Sequence, residues 1–420
     1  MEKLSLREAI DRALDRNGEL RSQRLQIEQA ADEIGRARGE FGPRIEAVLG
    51  IGPITKAEGN ATFVREDTGI WGRTVFGKIS LLQPLYTWGR KGNYENAARA
   101  GMHVKKAESE LKENQLRFEV KEAFYGYQMA NSFRDFIAGG KAELEKAIEK
   151  RKTKKNESVK DGLRLEIFLH EVESREAEVN KYVELAREGL SLRLGANRGQ
   201  VLPREEWLLP EPREKKAPEY YVDQAQQGRP EFRQLAEGIF AKRSLAKAEQ
   251  KALFPILGFM ASYEAAETNV RTAQPGVFSY DPYNHKTTSA GIGLKWDFQW
   301  ELQQSKAAKF RAEAEELELK EDYARQGIET EVRKAYLELV EAEARLKAAT
   351  EGYKAGKKWL TGEAIGFASG LGTAQGVVEA YAARAETTKG YFESLYRYQM
   401  AWATLSRAVG VEVDPLLATR

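Results

Sequence analysis

Apolar residues occupy every second position in four segments of the chain, two in each half. These positions are Ile45, Ala47, Leu49, Ile51, Val75, Gly77, Ile79, Leu81, Leu257, Phe259, Ala261, Tyr263, Ile292, Leu294, Trp296 and Phe298. A period of two places all apolar side chains of a β-strand on one face. Small or polar residues, such as Lys78 and Ser262, occupy the opposite face. The pattern therefore predicts two β-hairpins, at about 44–86 and about 256–300.

Long stretches without proline follow each hairpin, from Gly89 to about Asn156 and from Leu302 to Ala368. At 1.5 Å per residue, a helix of this length reaches roughly 100 Å. Apolar residues recur there every seven positions, which is typical of antiparallel helices packed as in coiled coils. We expect Gly139-Gly140 to interrupt the first long helix locally.

Shorter helices are predicted before the hairpins, from about Ser5 to Gly39 and from about Tyr221 to Leu253. Each is expected to end just before a proline, Pro43 or Pro255, since the residue before proline disfavours the helical conformation.

The two halves repeat one plan at an offset of 212 residues. Val120-Lys-Glu-Ala-Phe-Tyr125 recurs as Val332-Arg-Lys-Ala-Tyr-Leu337, and Pro43 corresponds to Pro255. Four of the twelve prolines lie between the halves, which is typical of a linker. We therefore predict a first structural repeat at 1–202, a linker at 203–219, a second repeat at 220–410 and a tail at 411–420. The long helices lie at about 89–195 in the first repeat and at about 302–409 in the second.

Composition restricts the function. The 420 residues include 66 Lys and Arg against 64 Asp and Glu, so the net charge of +2 gives no support to a nucleic-acid partner. The absence of cysteine excludes disulfides and thiol chemistry. The three histidines are far apart in sequence, and no Ser/His/Asp arrangement is recognisable. We therefore predict no catalytic, metal or cofactor site and no enzymatic activity.

The N-terminal segment MEKLSLREAIDRALDRN is charged and lacks the apolar core of a signal peptide. Either the protein is not exported, or this is a mature form whose signal peptide has been removed. No window contains the ~18 apolar residues of a membrane-spanning helix.

The strand count decides what the hairpins could form in a membrane. Four strands cannot close a barrel, and a sheet in lipid cannot leave an open edge. If the hairpins lie in a membrane, several chains must share one barrel, with the loops 55–73 and 269–286 on the side opposite the helices. Aromatic residues at the strand ends suit the interfacial girdle of such a barrel. They are Trp71, Tyr86, Trp88, Tyr280, Tyr283 and Trp300.

The duplicated plan, with Ser80-Leu-Leu-Gln-Pro-Leu-Tyr86, Ser369-Gly-Leu-Gly-Thr373 and Leu405-Ser-Arg-Ala-Val-Gly410, resembles the TolC-like outer membrane efflux proteins. The resemblance implies a mainly α fold with transmembrane β-structure. Specifically, it implies a long antiparallel helical barrel and a twelve-stranded β-barrel shared by a homotrimer, each protomer being a tandem repeat that gives four strands. It also implies location in the outer membrane, with the helical part in the periplasm.

The family's function implies an export channel that conducts small molecules or polypeptides passively. Its implied partners are outer-membrane lipid, a periplasmic adaptor (membrane fusion) protein and an inner-membrane pump, in a tripartite efflux or type I secretion system. No cofactor is implied. The cargo stays open.

The resemblance places the periplasmic tips, where adaptors dock, at two interhelical turns. They comprise Ser158, Val159, Lys160, Asp161, Gly162 and Leu163 in the first repeat, and Gly370, Leu371, Gly372 and Thr373 in the second. Some relatives narrow the entrance with acidic residues one turn into the returning helix. Here those positions correspond to Arg164 and Gly376, and Glu379 supplies a carboxylate one turn later.

A second hypothesis stays open at this stage. A soluble, elongated coiled-coil scaffold, or a periplasmic adaptor with small β-domains, would also explain the long helices and the charge. It explains poorly why two hairpins recur at matching places with aromatic ends.

Overall fold

The computed structural model describes residues 2–60, 63–152, 159–196, 199–274, 276, 280–369 and 371–417. Its elements in chain order are β1 (Glu2–Leu4), α1 (Leu6–Arg16), α2 (Gly18–Gly39), β2 (Arg44–Asn60), β3 (Phe63–Tyr86), α3 (Arg90–Lys152), α4 (Val159–Arg193), β4 (Val201–Pro203), α5 (Pro218–Gly228), α6 (Pro230–Lys251), β5 (Ile256–Thr268), β6 (His285–Lys295), α7 (Trp300–Ala368) and α8 (Ala374–Val409).

The chain forms two compact units, and each draws segments from both predicted repeats. One unit comprises Met1–Gln26, Lys105–Gln234 and Lys320–Arg420; the other comprises Ile27–Val104 and Leu235–Leu319. The helical unit and the sheet-containing unit are described separately below. The division into repeats along the sequence stays a prediction.

The sheet-containing unit holds a four-stranded antiparallel sheet in the order β2-β3-β5-β6. Strands β2 and β3 continue through most of the segment 55–73, which the sequence analysis assigned to a loop. Backbone pairing continues there, beyond an irregularity at Thr55/Lys56, and places Lys56 opposite Asp67 and Glu58 opposite Arg65. The Lys56 ammonium forms its ion pair with Glu58 of the same strand, at 2.7 Å. These charged residues carry no alternating apolar pattern, so periodicity alone did not indicate a strand here.

The last strand is shorter than predicted. Strand β6 ends at Lys295, so Trp296 and Phe298 lie outside it. The Trp296 indole instead donates a hydrogen bond to the Leu253 carbonyl at 3.0 Å, and its ring lies 4.7 Å from that of Phe298. Contacts with the end of the preceding helix therefore override the alternating pattern.

The helices that precede the hairpins are broken, contrary to the prediction of one helix each. At Asn17 the backbone is extended, and the side-chain oxygen accepts hydrogen bonds from the amides of Glu19 and Leu20, at 2.9 and 3.3 Å. Asn17 thus caps α2. Arg229 is extended between α5 and α6, since it precedes Pro230.

The first long helix is continuous through Gly139 and Gly140, so the predicted interruption is wrong. A β-carbon at Gly140 would overlap the hydroxyl of Tyr381 on α8, whereas one at Gly139 would meet no atom within 4 Å. Gly140 therefore serves helix packing.

The helical unit has its core on the heptad positions of the long helices. Val332, Leu339, Trp402 and Leu405 are buried in one cluster, which includes Tyr221 of α5. Strands β1 and β4, which the sequence analysis missed, form a short parallel pair. Segments of three residues are too short to show a period.

The predicted linker packs onto the helical unit. Leu208 is buried, and the Arg213 side chain is 0% exposed. Its guanidinium lies 3.2 Å from the carboxylate of Asp414, which is also buried. The C-terminal segment and the linker thus meet in a buried ion pair.

Candidate functional site: interhelical tips and the two-faced sheet

The second tip is a tight turn between α7 and α8. The amides of Leu371 and Gly372 both donate to the Gly366 carbonyl at 2.9 Å. Thr373 caps α8, its hydroxyl accepting from the Gly376 amide at 3.1 Å. A β-carbon at Gly372 would approach the backbone nitrogen of Phe367 to 2.7 Å, so only glycine fits there. Gly370 lies outside the described residues.

This turn leaves one large apolar side chain in solvent. Leu371 is 91% exposed, while the neighbouring Ala374 is fully buried beneath the turn. The residues buried under the tip come from the long helices: Leu144, Leu165, Val172 and Ala374. The packed base fixes the backbone of the turn and presents Leu371 outward.

The first tip differs from the prediction. Ser158 lies outside the described residues, and Val159 is the first residue of α4. Lys160, Asp161, Gly162 and Leu163 follow within the first turns of this helix and not in a connecting turn. Asp161 favours this helix start, because an acidic side chain in the first turn interacts well with the helix dipole. Leu163 is 55% exposed.

The predicted entrance residues are connected through a residue that the sequence analysis did not name. The Arg164 guanidinium donates to the side-chain oxygen of Gln375 at 3.2 Å. The Gln375 amide nitrogen donates to a carboxylate oxygen of Glu379 at 2.8 Å. Gln375 therefore bridges a cation on α4 and an anion on α8. Its position four residues before Glu379 was an available signal, since such pairs face each other on a helix.

Gly376 lies on the same turn of α8 and makes room for another carboxylate. A β-carbon at Gly376 would come within 2.6 Å of a carboxylate oxygen of Glu363 on α7. Glu363 also accepts a hydrogen bond from the indole of Trp359 at 3.4 Å. The tip therefore carries a second acidic group, Glu363, which the sequence analysis missed.

The two faces of the sheet differ in polarity, as the period-two pattern predicted, although the face of Lys78 also carries the apolar Val48, Phe76 and Met260. One face carries apolar side chains that are exposed within this chain: Ile45, Leu49, Ile51, Ile79, Ile292 and Leu294. Leu49 is 85% exposed. On the other face the Lys78 ammonium lies 3.4 Å from a Glu264 carboxylate oxygen, and the hydroxyls of Ser262 and Ser289 are 2.8 Å apart. The polar face suits water, and the apolar face needs an apolar cover.

The predicted aromatic residues form two groups along the strands. Tyr86, Trp88 and Trp300 lie where strands meet helices. The rings of Tyr86 and Trp88 are 5.0 Å apart, and the Trp88 indole donates to the Pro255 carbonyl at 2.5 Å.

The second group comprises Trp71 with Tyr280 and Tyr283, which belong to the segment that joins β5 to β6. The ring of Tyr283 lies 4.2 Å from the guanidinium carbon of Arg271. All six side chains of the two groups are exposed to a large extent. They flank the apolar face at its two ends.

Within the described ranges, no helix is both long enough and apolar enough to cross a membrane. The same ranges contain no group of three or more His, Asp or Glu side chains arranged to hold a metal ion.

Comparison with known proteins identifies a family whose sequence model matches part of this chain. Residues 221–411 match the sequence model of the family described as outer membrane efflux protein. No curated protein matches the chain in a sequence search. The resemblance predicted from the sequence is confirmed by this match and by solved structures.

The fold is that of several solved membrane proteins. A membrane protein from Pseudomonas aeruginosa is 18% identical, with a TM-score of 0.77 over 96% of this chain and 92% of that one. The MtrE outer membrane channel of Neisseria gonorrhoeae, in its open state, is 16% identical, with a TM-score of 0.75 over 99% and 91% of the two chains. The outer membrane protein VceC of Vibrio cholerae is 14% identical, with a TM-score of 0.74 over 97% of each chain. At these identities the similarity shows the fold.

Proposed function

Because the chain resembles the TolC-like outer membrane efflux proteins in sequence over 221–411 and in fold over nearly its whole length, we propose that it is an outer-membrane export channel. It conducts small molecules or polypeptides passively, in a tripartite efflux or type I secretion system. An inner-membrane pump supplies the energy and a periplasmic adaptor connects the two.

The observation that carries this proposal is the sheet with one exposed apolar face and one polar face. Strands β2 and β6 are its edges within this chain. An unpaired edge cannot remain in lipid, so the β6 edge of one copy pairs with the β2 edge of the next. Three copies supply twelve strands, which is enough for a closed barrel. Lipid then covers Leu49 and Ile79, and the face of Lys78 lines a water-filled bore.

Adaptor docking belongs to the tips. The exposed Leu371 and Leu163 offer apolar contacts on well-supported backbones. We expect the adaptor to bind the turn around Gly372 more tightly than the first tip. The tight geometry of this turn, which only glycine fits, fixes its backbone before the adaptor binds.

At the entrance, Glu379 of three chains forms a ring that attracts cations. Arg164 reduces this effect, because Gln375 couples it to the same carboxylate. Replacing Glu379 with Ala should lower the cation preference of single-channel currents in planar bilayers. An unchanged preference would remove Glu379 from the entrance.

The membrane role is tested by an adjacent pair of substitutions on β3. Ile79 lies on the apolar face opposite Ala47 and Tyr263, and Ser80 lies on the polar face opposite Glu46 and Ser262. An arginine facing lipid near the bilayer centre costs about 2–4 kcal/mol, while one in the lumen costs little. Ile79→Arg should therefore reduce the yield of detergent-extracted trimer and of pore currents, and Ser80→Arg should retain both.

Equal tolerance of the two variants would contradict the proposal. Recovery of the unaltered protein as a detergent-free monomer in the aqueous fraction would favour the soluble scaffold instead.

A further inference from the structure

A cavity of about 390 Å³ lies on the polar face of the sheet, beside the ends of the flanking helices. Three basic side chains line it, Arg44, Arg90 and Lys295, together with two acidic ones, Glu40 and Asp297. All five residues belong to the sheet-containing unit. The cavity therefore has a small excess of positive charge.

Strand register explains why two of these cations share the cavity. Arg44 begins β2 opposite Leu82, and Lys295 ends β6 opposite Ile256. Both occupy the same set of alternate positions as Lys78, which is the polar face. Arg44 and Lys295 therefore stand at the helix-proximal end of that face, on the two edge strands.

Arg90 approaches from the first turn of α3. Its guanidinium carbon lies 5.9 Å from the ring of Phe41 and 5.8 Å from that of Tyr94, which holds the side chain in place. Its Nε is buried without a hydrogen-bond partner. The first turn of α3 contains Lys91 and no acidic residue, so the helix dipole adds to the positive charge.

These cations differ from others in the same unit. Arg38 pairs with Glu95 at 3.2 Å, and Lys242 pairs with Glu313 at 2.7 Å. Arg44, Arg90 and Lys295 form no ion pair with any residue that the structure describes. The charges of Arg44 and Lys295 are therefore available to a ligand, while the Arg90 guanidinium also interacts with the Tyr94 hydroxyl.

The other residues that line the cavity indicate that its ligand also has an apolar part. Apolar side chains of Phe41, Leu82, Phe254 and Met260 border the same cavity. Pockets that combine an apolar wall with a few convergent charges bind molecules with an apolar body and one polar group. We propose that this cavity binds organic anions that carry an aromatic or aliphatic body and a sulfonate or carboxylate group. If the protein is the export channel proposed above, such anions are a class of cargo that pauses at this position.

Binding is tested with two probes of similar shape and opposite charge, 1-naphthalenesulfonate and 1-naphthylmethylammonium, by equilibrium dialysis against the full chain in non-ionic detergent. We expect the anion to bind more tightly than the cation. The double variant Arg44→Gln/Lys295→Gln should weaken binding of the anion by about fivefold, the size expected for two solvated charge contacts.

The matched control is Lys78→Gln, which removes a cation of the same face that is paired with Glu264 and does not line the cavity. It should leave the affinity for the anion unchanged. Asp297→Asn, which removes a competing negative charge, should strengthen binding. Equal binding of the two probes, or loss of anion binding in Lys78→Gln as large as in the double variant, would overturn the inference.

Bilayer recordings separate this inference from the proposed channel function. If the protein conducts ions and 1-naphthalenesulfonate blocks the current less in the double variant, both hold. A conducting protein that the anion does not block overturns the cargo role and leaves the channel. A protein that binds the anion but never conducts overturns the channel and leaves the binding site.

Discussion

Alanine substitutions at the adjacent glycines Gly139 and Gly140 should have opposite effects on stability. Both residues lie inside the continuous helix α3, where alanine is favoured over glycine by about 0.5–1 kcal/mol. At Gly139 a β-carbon meets no atom within 4 Å, so Gly139→Ala should stabilise the protein by about that amount.

Gly140→Ala gains the same helix propensity and loses more through packing. The new β-carbon would overlap the hydroxyl of Tyr381, which is far closer than van der Waals contact allows. Tyr381 packs edge-to-face against Phe168, with ring centroids 5.4 Å apart, an arrangement worth about 0.5–1.5 kcal/mol. Overpacking typically costs about 1–3 kcal/mol. We therefore expect Gly140→Ala to be about 1–2 kcal/mol less stable than the unaltered protein.

Thermal and urea unfolding followed by far-ultraviolet circular dichroism would measure the difference between the two variants. A double-mutant cycle identifies the cause: in a Tyr381→Ala background the clash is absent, so Gly140→Ala should stabilise as Gly139→Ala does. If Gly140→Ala destabilised equally in both backgrounds, contact with Tyr381 would not be the reason for the glycine.

Two further predictions concern buried carboxylates. Asp414→Asn removes the buried partner of the Arg213 guanidinium, which then keeps only the exposed Glu211, at 3.4 Å, as a counter-charge. We expect it to destabilise the helical unit by about 1–3 kcal/mol, and Arg213→Met/Asp414→Leu to recover most of this loss in the same unfolding assay. Equal losses would refute the pairing. Between β5 and β6, the Asp281 carboxylate accepts hydrogen bonds from the amides of Gln274, Tyr283 and Asn284. Burial by itself would raise the pKa of this carboxyl, but the hydrogen bonds outweigh burial and lower that pKa. The stabilisation is therefore complete above the ordinary aspartate pKa of 3.8 and is lost as pH falls through the lowered value. An acid-active protease should cut the segment between β5 and β6 faster as the pH falls through the lowered pKa of Asp281. The Asp281→Asn variant should be cut at this faster rate above that pKa as well. Cleavage of the unaltered protein that does not depend on pH would contradict a stabilising role for the Asp281 carboxylate.

Local periodicity was sufficient to predict the strands and long helices in which each face of the element has one environment along its length. The faces of the four strands follow from alternation, because every second side chain of a strand points the same way. The burial of Val332, Leu339 and Leu405 follows from the heptad pattern for the same reason. Pro230 was a local signal for the break between α5 and α6 at Arg229, but the apolar pattern continues across this position and suggested a single helix.

Contacts between distant segments were beyond sequence reasoning. Gly140 and Tyr381 belong to different long helices, and nothing near either residue indicates the other. The pair Arg213–Asp414 joins the linker to the C-terminal segment, where neither residue lies in a periodic pattern. At the tip, Glu379 was named as an entrance residue from the resemblance, and this role stays a prediction. The bridge from Arg164 through Gln375 was not predicted, because it depends on how α4 and α8 pack.

The sheet supports the proposal that the functional unit contains more than one chain. Fully covering a Leu or Ile side chain is worth about 1.5–3 kcal/mol, so the exposed Ile45, Leu49 and Ile292 are costly in water. Packing a second sheet on this face would remove that cost but leave the edges β2 and β6 unpaired. In the proposed trimer, ring closure between copies would pair both edges and leave the apolar face outside, in contact with lipid. The pair Lys78–Glu264 on the other face would stay in water. The same closure would bring the Arg44 edge of one protomer beside the Lys295 edge of the next, so the proposed anion site would gain charge when the barrel forms. Anion binding should accordingly be stronger in the trimer than in dissociated protomers, and equal affinity in the two states would separate the cavity from the assembly.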